Sequence, residues 1–241
     1  MKRGNFLGVV ACAALGLVVA GSAQAVIISG TLFHVTEAQA QNAQLGLAPP
    51  ASNVTFTISG GGASGLEFSF GVDNPPSVTV AAFLASASPA ISPAGGTANG
   101  GFNTGDLMDT CQGWPTGPAI DNNCTNGGSN IGTYVVFTGS AFFVTGESFT
   151  IAHDDGLIFQ IAGLTLPGFS TGPVNVPSET AIYTGATGNF PFTIVYAECC
   201  DGGARLNISA AVPSVPEPAT LGLLGLGLSA LAMTRRRKQS R

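Results

Sequence analysis

Apolar and polar residues alternate with a period of two in short runs along most of this chain. Val54, Phe56 and Ile58 form one apolar face, and Leu66, Phe68 and Phe70 form another. Phe149 and Ile151 precede Leu157, Phe159 and Ile161. Phe190, Phe192, Ile194 and Tyr196 are followed by Ala204, Leu206 and Ile208. Val78–Val80 and Tyr134–Phe137 add further runs, and His34 lies on an N-terminal one. Successive side chains of a strand point to opposite faces, so this spacing predicts half-buried strands. No stretch between residues 26 and 215 sustains a helical period, although Ala38–Gln44 has room for a turn or two of helix. The 34 glycines and 15 prolines fall largely between the runs and predict many turns. Short strands separated by turn signals predict an all-β fold, an antiparallel β-sandwich or jelly roll.

Both ends break this pattern. Lys2 and Arg3 precede an apolar stretch from Phe6 to Ala20, and Ser22-Ala23-Gln24-Ala25 follows. A charged start, an apolar stretch and an Ala-x-Ala site predict a secretory signal peptide over residues 1–25, cleaved after Ala25. Val9-Val10-Ala11-Cys12 loosely matches a lipoprotein acylation box but leaves a short apolar stretch before the cysteine. At the other end, Pro216-Glu217-Pro218 leads into the uncharged segment Ala219–Met233, then Arg235, Arg236, Arg237, Lys238 and Arg241. As a helix that segment would span about 22 Å against a hydrocarbon core of about 30 Å. The basic cluster after it keeps the C-terminus cytoplasmic by the positive-inside bias. The alternative, a buried core helix, sits poorly with that cluster.

The motif, apolar segment and basic tail of residues 214–241 resemble the PEP-CTERM sorting signal of Gram-negative bacteria. The resemblance implies export by the Sec machinery, transient anchoring in the inner membrane through a C-terminal helix, and processing by an exosortase.

Residues 26–213 then form one body, long enough for one substantial core. They carry one basic residue, Arg205, against twelve acidic ones, a net charge of −11. A surface this acidic argues against nucleic acid and anionic membranes as partners and is compatible with divalent cations. Four cysteines, Cys111, Cys124, Cys199 and Cys200, remain in the body, an even number suited to disulfides in an exported protein. Cys111 and Cys124 enclose a loop rich in glycine, proline and asparagine, and are the favoured pair. A bridge there would constrain the unfolded chain by about 3 kcal/mol. Cys199 and Cys200 are adjacent, so a reduced pair, a vicinal bridge or two bridges to the 111/124 loop all stay open. Zinc is the rival, but there is no CxxC pair and neither histidine neighbours a cysteine.

The sequence His153-Asp154-Asp155-Gly156 falls between two alternating runs. Asp-Gly favours a tight hairpin turn, which is the structural reading. Adjacent carboxylates on a tight loop also offer hard oxygen ligands, which is the functional reading, a calcium site completed by other loops. The stretch from Tyr134 to Ala210, with this turn, the later run Phe192–Glu198, the segment Cys199–Gly203 and the run Ala204–Ile208, resembles the C-terminal half of PA14-type domains. The resemblance implies a jelly-roll sandwich. In fungal adhesins of that family consecutive aspartates hold calcium, which helps to hold a sugar. Carried over, Asp154 and Asp155 become the ligand pair and Asp201 a candidate on the neighbouring hairpin. The chain departs from the family in the cysteine pair on that hairpin and in Gly163–Thr180, which stands in place of specificity loops.

Asp106, Asp109, Asp121, Asn122, Asn123 and Asn126 read as local turn formers in or beside the cysteine loop, with metal ligation as the alternative, and Trp114 as a loop anchor or a sugar platform. No GxSxG, HExxH or Walker pattern is present. A non-enzymatic surface or matrix protein of an extracellular polysaccharide layer or biofilm is therefore expected, with calcium as its candidate cofactor. A secreted polysaccharide-processing enzyme using distant carboxylates, such as Glu198 with Asp154, is the alternative.

Overall fold

The computed structural model describes residues 26–61, 64–71, 78–108, 131–199 and 203–211. Among the described residues, eleven strands and two short helices make an antiparallel β-sandwich, as the alternation predicts. The strands are β1 (Ile27–Thr36), β2 (Asn53–Ser59), β3 (Phe68–Gly71), β4 (Ser92–Asn99), β5 (Ile131–Phe143), β6 (Ser148–Asp154), β7 (Leu157–Ile161), β8 (Leu164–Thr165), β9 (Val176–Ile182), β10 (Gly188–Glu198) and β11 (Arg205–Ala211). One sheet runs β4-β2-β1-β5-β10-β7-β8 and the other β3-β11-β6-β9. From β5 onward the chain switches repeatedly between them, so several connections are corners between sheets.

The sheets pack through aromatic rings. Phe68 lies 5.1 Å from Phe137, Phe56 5.6 Å from Phe70, and Phe149 5.0 Å from Phe159, centroid to centroid. Offset and edge-on contacts of this kind add to the burial of apolar area. The first half of β5 is buried on both faces, which the apolar run Tyr134–Phe137 and the hydrogen-bonded Thr133 hydroxyl allow. Its second face packs in a smaller core of Phe33, Ala43, Tyr134, Val195 and Ala197. The one-turn helix α1 (Glu37–Ala40) and the residues after it cover that core, held by the Tyr134 hydroxyl, which donates to the carbonyls of Gln39 at 2.7 Å and Asn42 at 2.5 Å. Burial pushes the Tyr134 phenol up to about 12.

Two local expectations are corrected. Val78–Val80 is no strand: Thr79 caps α2 (Val80–Ala85), its hydroxyl accepting from Ala82 N at 3.1 Å, and Val80, Phe83 and Leu84 enter the core. The runs either side of Asp154-Asp155-Gly156 do not form a hairpin. β6 pairs with β11 and β9, whereas β7 pairs with β10 and β8. The complementary faces of Phe149 and Phe159 meet across the core rather than along a ladder. Among the described residues no helix is long and apolar enough to cross a membrane. The segment expected to act as an anchor, Ala219–Met233, the sorting motif Pro216, Glu217 and Pro218, and the basic residues Arg235–Lys238 lie outside them, as do residues 1–25, where a leader is expected.

Candidate functional site

Two sheet-to-sheet connections meet at one end of the sandwich. The corner Asp154-Asp155-Gly156 takes the chain from β6 to β7, and the segment after Glu198 takes it from β10 to β11. The registers Asp154↔Arg205 and Leu157↔Tyr196 place them side by side. The Cys199 amide closes the gap, donating to Asp155 Oδ2 at 2.9 Å. Gly156 is required where the corner turns, because a Cβ there would stand 2.2 Å from the Thr171 carbonyl oxygen. The peptide bond between Asp154 and Asp155 is cis.

The two carboxylates have different surroundings. Asp154 is half-buried on the outer side of β6, and Asn175 Nδ2 donates to its Oδ2 at 2.7 Å. Arg205, the single lysine or arginine of residues 26–213, donates from Nη2 to Asn175 Oδ1 and to the Val176 carbonyl, both at 3.2 Å. Asp155 is buried. Beneath the corner lies Tyr196, whose hydroxyl contacts the Asp154 carbonyl and the Glu198 carboxylate and accepts from Arg205 N at 3.1 Å. Its ring stacks on Phe83 of α2 at 5.8 Å. Burial, then the Glu198 charge, raises the Tyr196 phenol well above its ordinary value, so it stays a donor.

His153 fills a core position in line with Phe149 and Ile151. Its Nδ1 meets the Asp155 carbonyl, and its Nε2 lies 2.9 Å from Glu179 Oε2. Ser170 donates to Glu179 from its amide at 2.7 Å and from its hydroxyl. Burial raises the Glu179 pKa, but these hydrogen bonds and the His153 charge outweigh it and hold the carboxyl below its ordinary value.

The donor set of the corner fits a divalent cation in chemistry: adjacent carboxylate oxygens on an acidic body. It is incomplete in number, since among the described residues no group of three or more His, Cys, Asp or Glu side chains converges. Asp201 lies outside the described residues, as do Cys111, Cys124, Cys200 and Trp114. Cys199 is disulfide-bonded. His34, on β1, packs 4.9 Å from Phe102, and burial lowers its pKa to about 4.

Sequence reasoning singled out Asp154, Asp155 and His153 and missed Ser170, Asn175 and Glu179, which lie in a segment read as loop. One signal was available: Glu179 is the only acidic residue between Asp155 and Glu198.

The fold and the tail together define an exported β-sandwich protein. Residues 214–238 match the PEP-CTERM protein-sorting motif, so the chain carries an exosortase-type sorting signal and is a surface-directed protein. No curated protein matches the chain. Similar solved structures include a PA14 sugar-binding domain from an RTX adhesin, with 16% identity, TM-score 0.43, and coverage of 79% of this chain and 90% of that one. The PA14 domain of the antifreeze protein MpAFP follows at 13% identity, TM-score 0.43, and coverage of 79% and 84%. The A domain of epithelial adhesin 6 from Candida glabrata, solved with Galb1-3GlcNAc, has 12% identity, TM-score 0.35, and coverage of 83% and 84%.

Proposed function

We propose that this chain is an exosortase substrate whose sandwich body acts, without catalysis, as an adhesive or structural module of an extracellular polysaccharide layer. The Asp154–Asp155 corner is its ligand-facing point, with calcium as the cation and Asp201, on the connection from β10 to β11 rather than on the hairpin the sequence suggests, supplying further oxygens. The observation that carries the reading is the juxtaposition of two adjacent carboxylates with the segment after Glu198, sealed by the Cys199 amide on Asp155. The −11 body supports a cation-assisted contact with neutral hydroxyl-bearing polymers over any polyanion. Export across the inner membrane of a Gram-negative cell, with transient anchoring before processing, follows from the same reading.

Thermal unfolding of the exported protein with calcium and with chelator tests it. A calcium-dependent rise in Tm that Asp154→Asn/Asp155→Asn abolishes supports the site and directs glycan screening. No rise in the wild type removes calcium from the reading.

A second reading has its own observation. Asp154 Oδ2 already accepts from Asn175, which Arg205 holds in turn. On that reading the corner is an internal brace and the body a purely structural module. Turnover of polysaccharide that disappears in Asp154→Ala or Glu198→Ala would overturn both in favour of an enzyme.

A further inference from the structure

We propose that Glu179, on the edge strand β9, is the positioning residue of the Asp154–Asp155 corner, acting through His153 and Ser170. The proposal deepens the reading above and rests on it only for its consequence, that the corner is set before a ligand arrives.

The argument starts from His153. Two ring nitrogens at a core position must be hydrogen-bonded, because burying them unpaired is costly. Both face acceptors, the Asp155 carbonyl on one side and the Glu179 carboxylate on the other. The ring is thus a rigid spacer between one carboxylate and the backbone of the corner, and Glu179 decides its orientation.

Glu179 reaches His153 because the β6–β9 ladder is irregular there. Ile151 is registered with Glu179, yet His153 is registered with Val176, so β9 carries an extra residue opposite this stretch of β6. A bulge at a sheet edge bends the strand and re-aims a side chain. The re-aimed carboxylate also binds the Ser170 amide at 2.7 Å and the Ser170 hydroxyl, so both its oxygens are engaged. Ser170 in turn accepts from Leu157 N at 2.9 Å, on the far side of the corner, and Thr171 accepts from Ala43 N at 2.8 Å. One carboxylate therefore ties together the strand that enters the corner, the edge strand, and the connection that packs over Gly156. Residues one step behind a ligand set fix ligand orientation in this way.

Amide hydrogen exchange of the exported protein in chelator tests the positioning itself. The reporters are Cys199 N–H, which donates to Asp155 Oδ2, and Ala197 N–H, which donates to the Gly156 carbonyl at 2.8 Å. The reference is the β1–β2 ladder. In Glu179→Gln, protection at the reporters should drop about tenfold or more beyond any change in β1–β2. Equal changes at reporters and reference would show a merely global effect and overturn the proposal. Should Glu179→Gln fail to fold, Ser170→Ala deletes one hydroxyl donor and should lower protection at the same reporters severalfold, and no local change overturns the proposal. A calcium titration forms a separate arm. If the wild type binds calcium, Glu179→Gln should weaken binding about 10- to 100-fold, and an unchanged Kd overturns the consequence. If the wild type binds none, the ligand reading fails while the exchange data still decide the positioning.

Discussion

Tyr196 and Glu198 lie two residues apart on the same face of β10, both fully buried, with the tyrosine hydroxyl against the glutamate carboxylate. This pair is the floor on which the Asp154–Asp155 corner rests, because the same hydroxyl also meets the Asp154 carbonyl. Tyr196→Phe would take a donor from a buried carboxylate and leave the packing on Phe83 intact. The expected cost is about 3 kcal/mol, read as a lower urea midpoint at unchanged m-value. A loss within experimental scatter would show that the hydroxyl carries no weight there.

Gly156→Ala tests the corner from its other side. The added methyl would meet the Thr171 carbonyl oxygen at 2.2 Å and crowd the Ala43 amide that bonds to it. Backbone atoms cannot step aside as a flexible side chain can, so a destabilisation of about 1–3 kcal/mol is expected. Thermal melts of the variant check it, and an unchanged Tm would mean that the 166–175 connection yields freely.

Glu147 predicts a pH dependence at the opposite end of the sandwich. Its side chain is fully buried, with Val144 N donating to Oε2 at 3.1 Å. Ser64 Oγ lies nearby without completing a well-formed hydrogen bond. Burial pushes the carboxyl above its ordinary 4.5, and the Val144 and Ser64 contacts offset this only in part. The native state therefore keeps a proton that the unfolded chain has already lost. The stability from this group is complete below the unfolded value and is lost as pH rises through the raised native one. Glu147→Gln should flatten the fall in Tm as pH rises above the ordinary carboxylate value. Identical slopes in variant and wild type would remove Glu147 as the cause.

The sorting signal makes its own prediction. Replacing Pro216, Glu217 and Pro218 with alanine should leave an unprocessed, membrane-retained precursor, seen by immunoblot of cell and medium fractions as a larger cell-associated band. Normal processing would sever the link between the matched motif at residues 214–238 and export.

Much of the fold was legible in the chain because period-two alternation directly encodes which side of a strand is buried. Phe149, Ile151, Leu157, Phe159 and Ile161 are all buried as that rule requires. What alternation omits is the hydrogen-bonded neighbour. The same five residues fit a hairpin and a corner equally well, and the corner formed because β6 and β7 each found a longer partner elsewhere, β11 and β10. β4 and β9 escaped notice because their exposed edge positions show little alternation.

The sequence by itself determined the sorting signal at the C-terminus, the all-β class, the acidic body with its single arginine, and the adjacency of Asp154 and Asp155. Those properties reside in composition, short spacing and covalent order. Only the tertiary structure decided that Asp155 takes the amide of Cys199, 44 residues on, that His153 meets Glu179, 26 residues on, and that Arg205 stands across from Asp154. Such contacts follow from which strands pair and where a bulge falls. Those are set by burying the aromatic core as a whole, a condition no local stretch of sequence expresses.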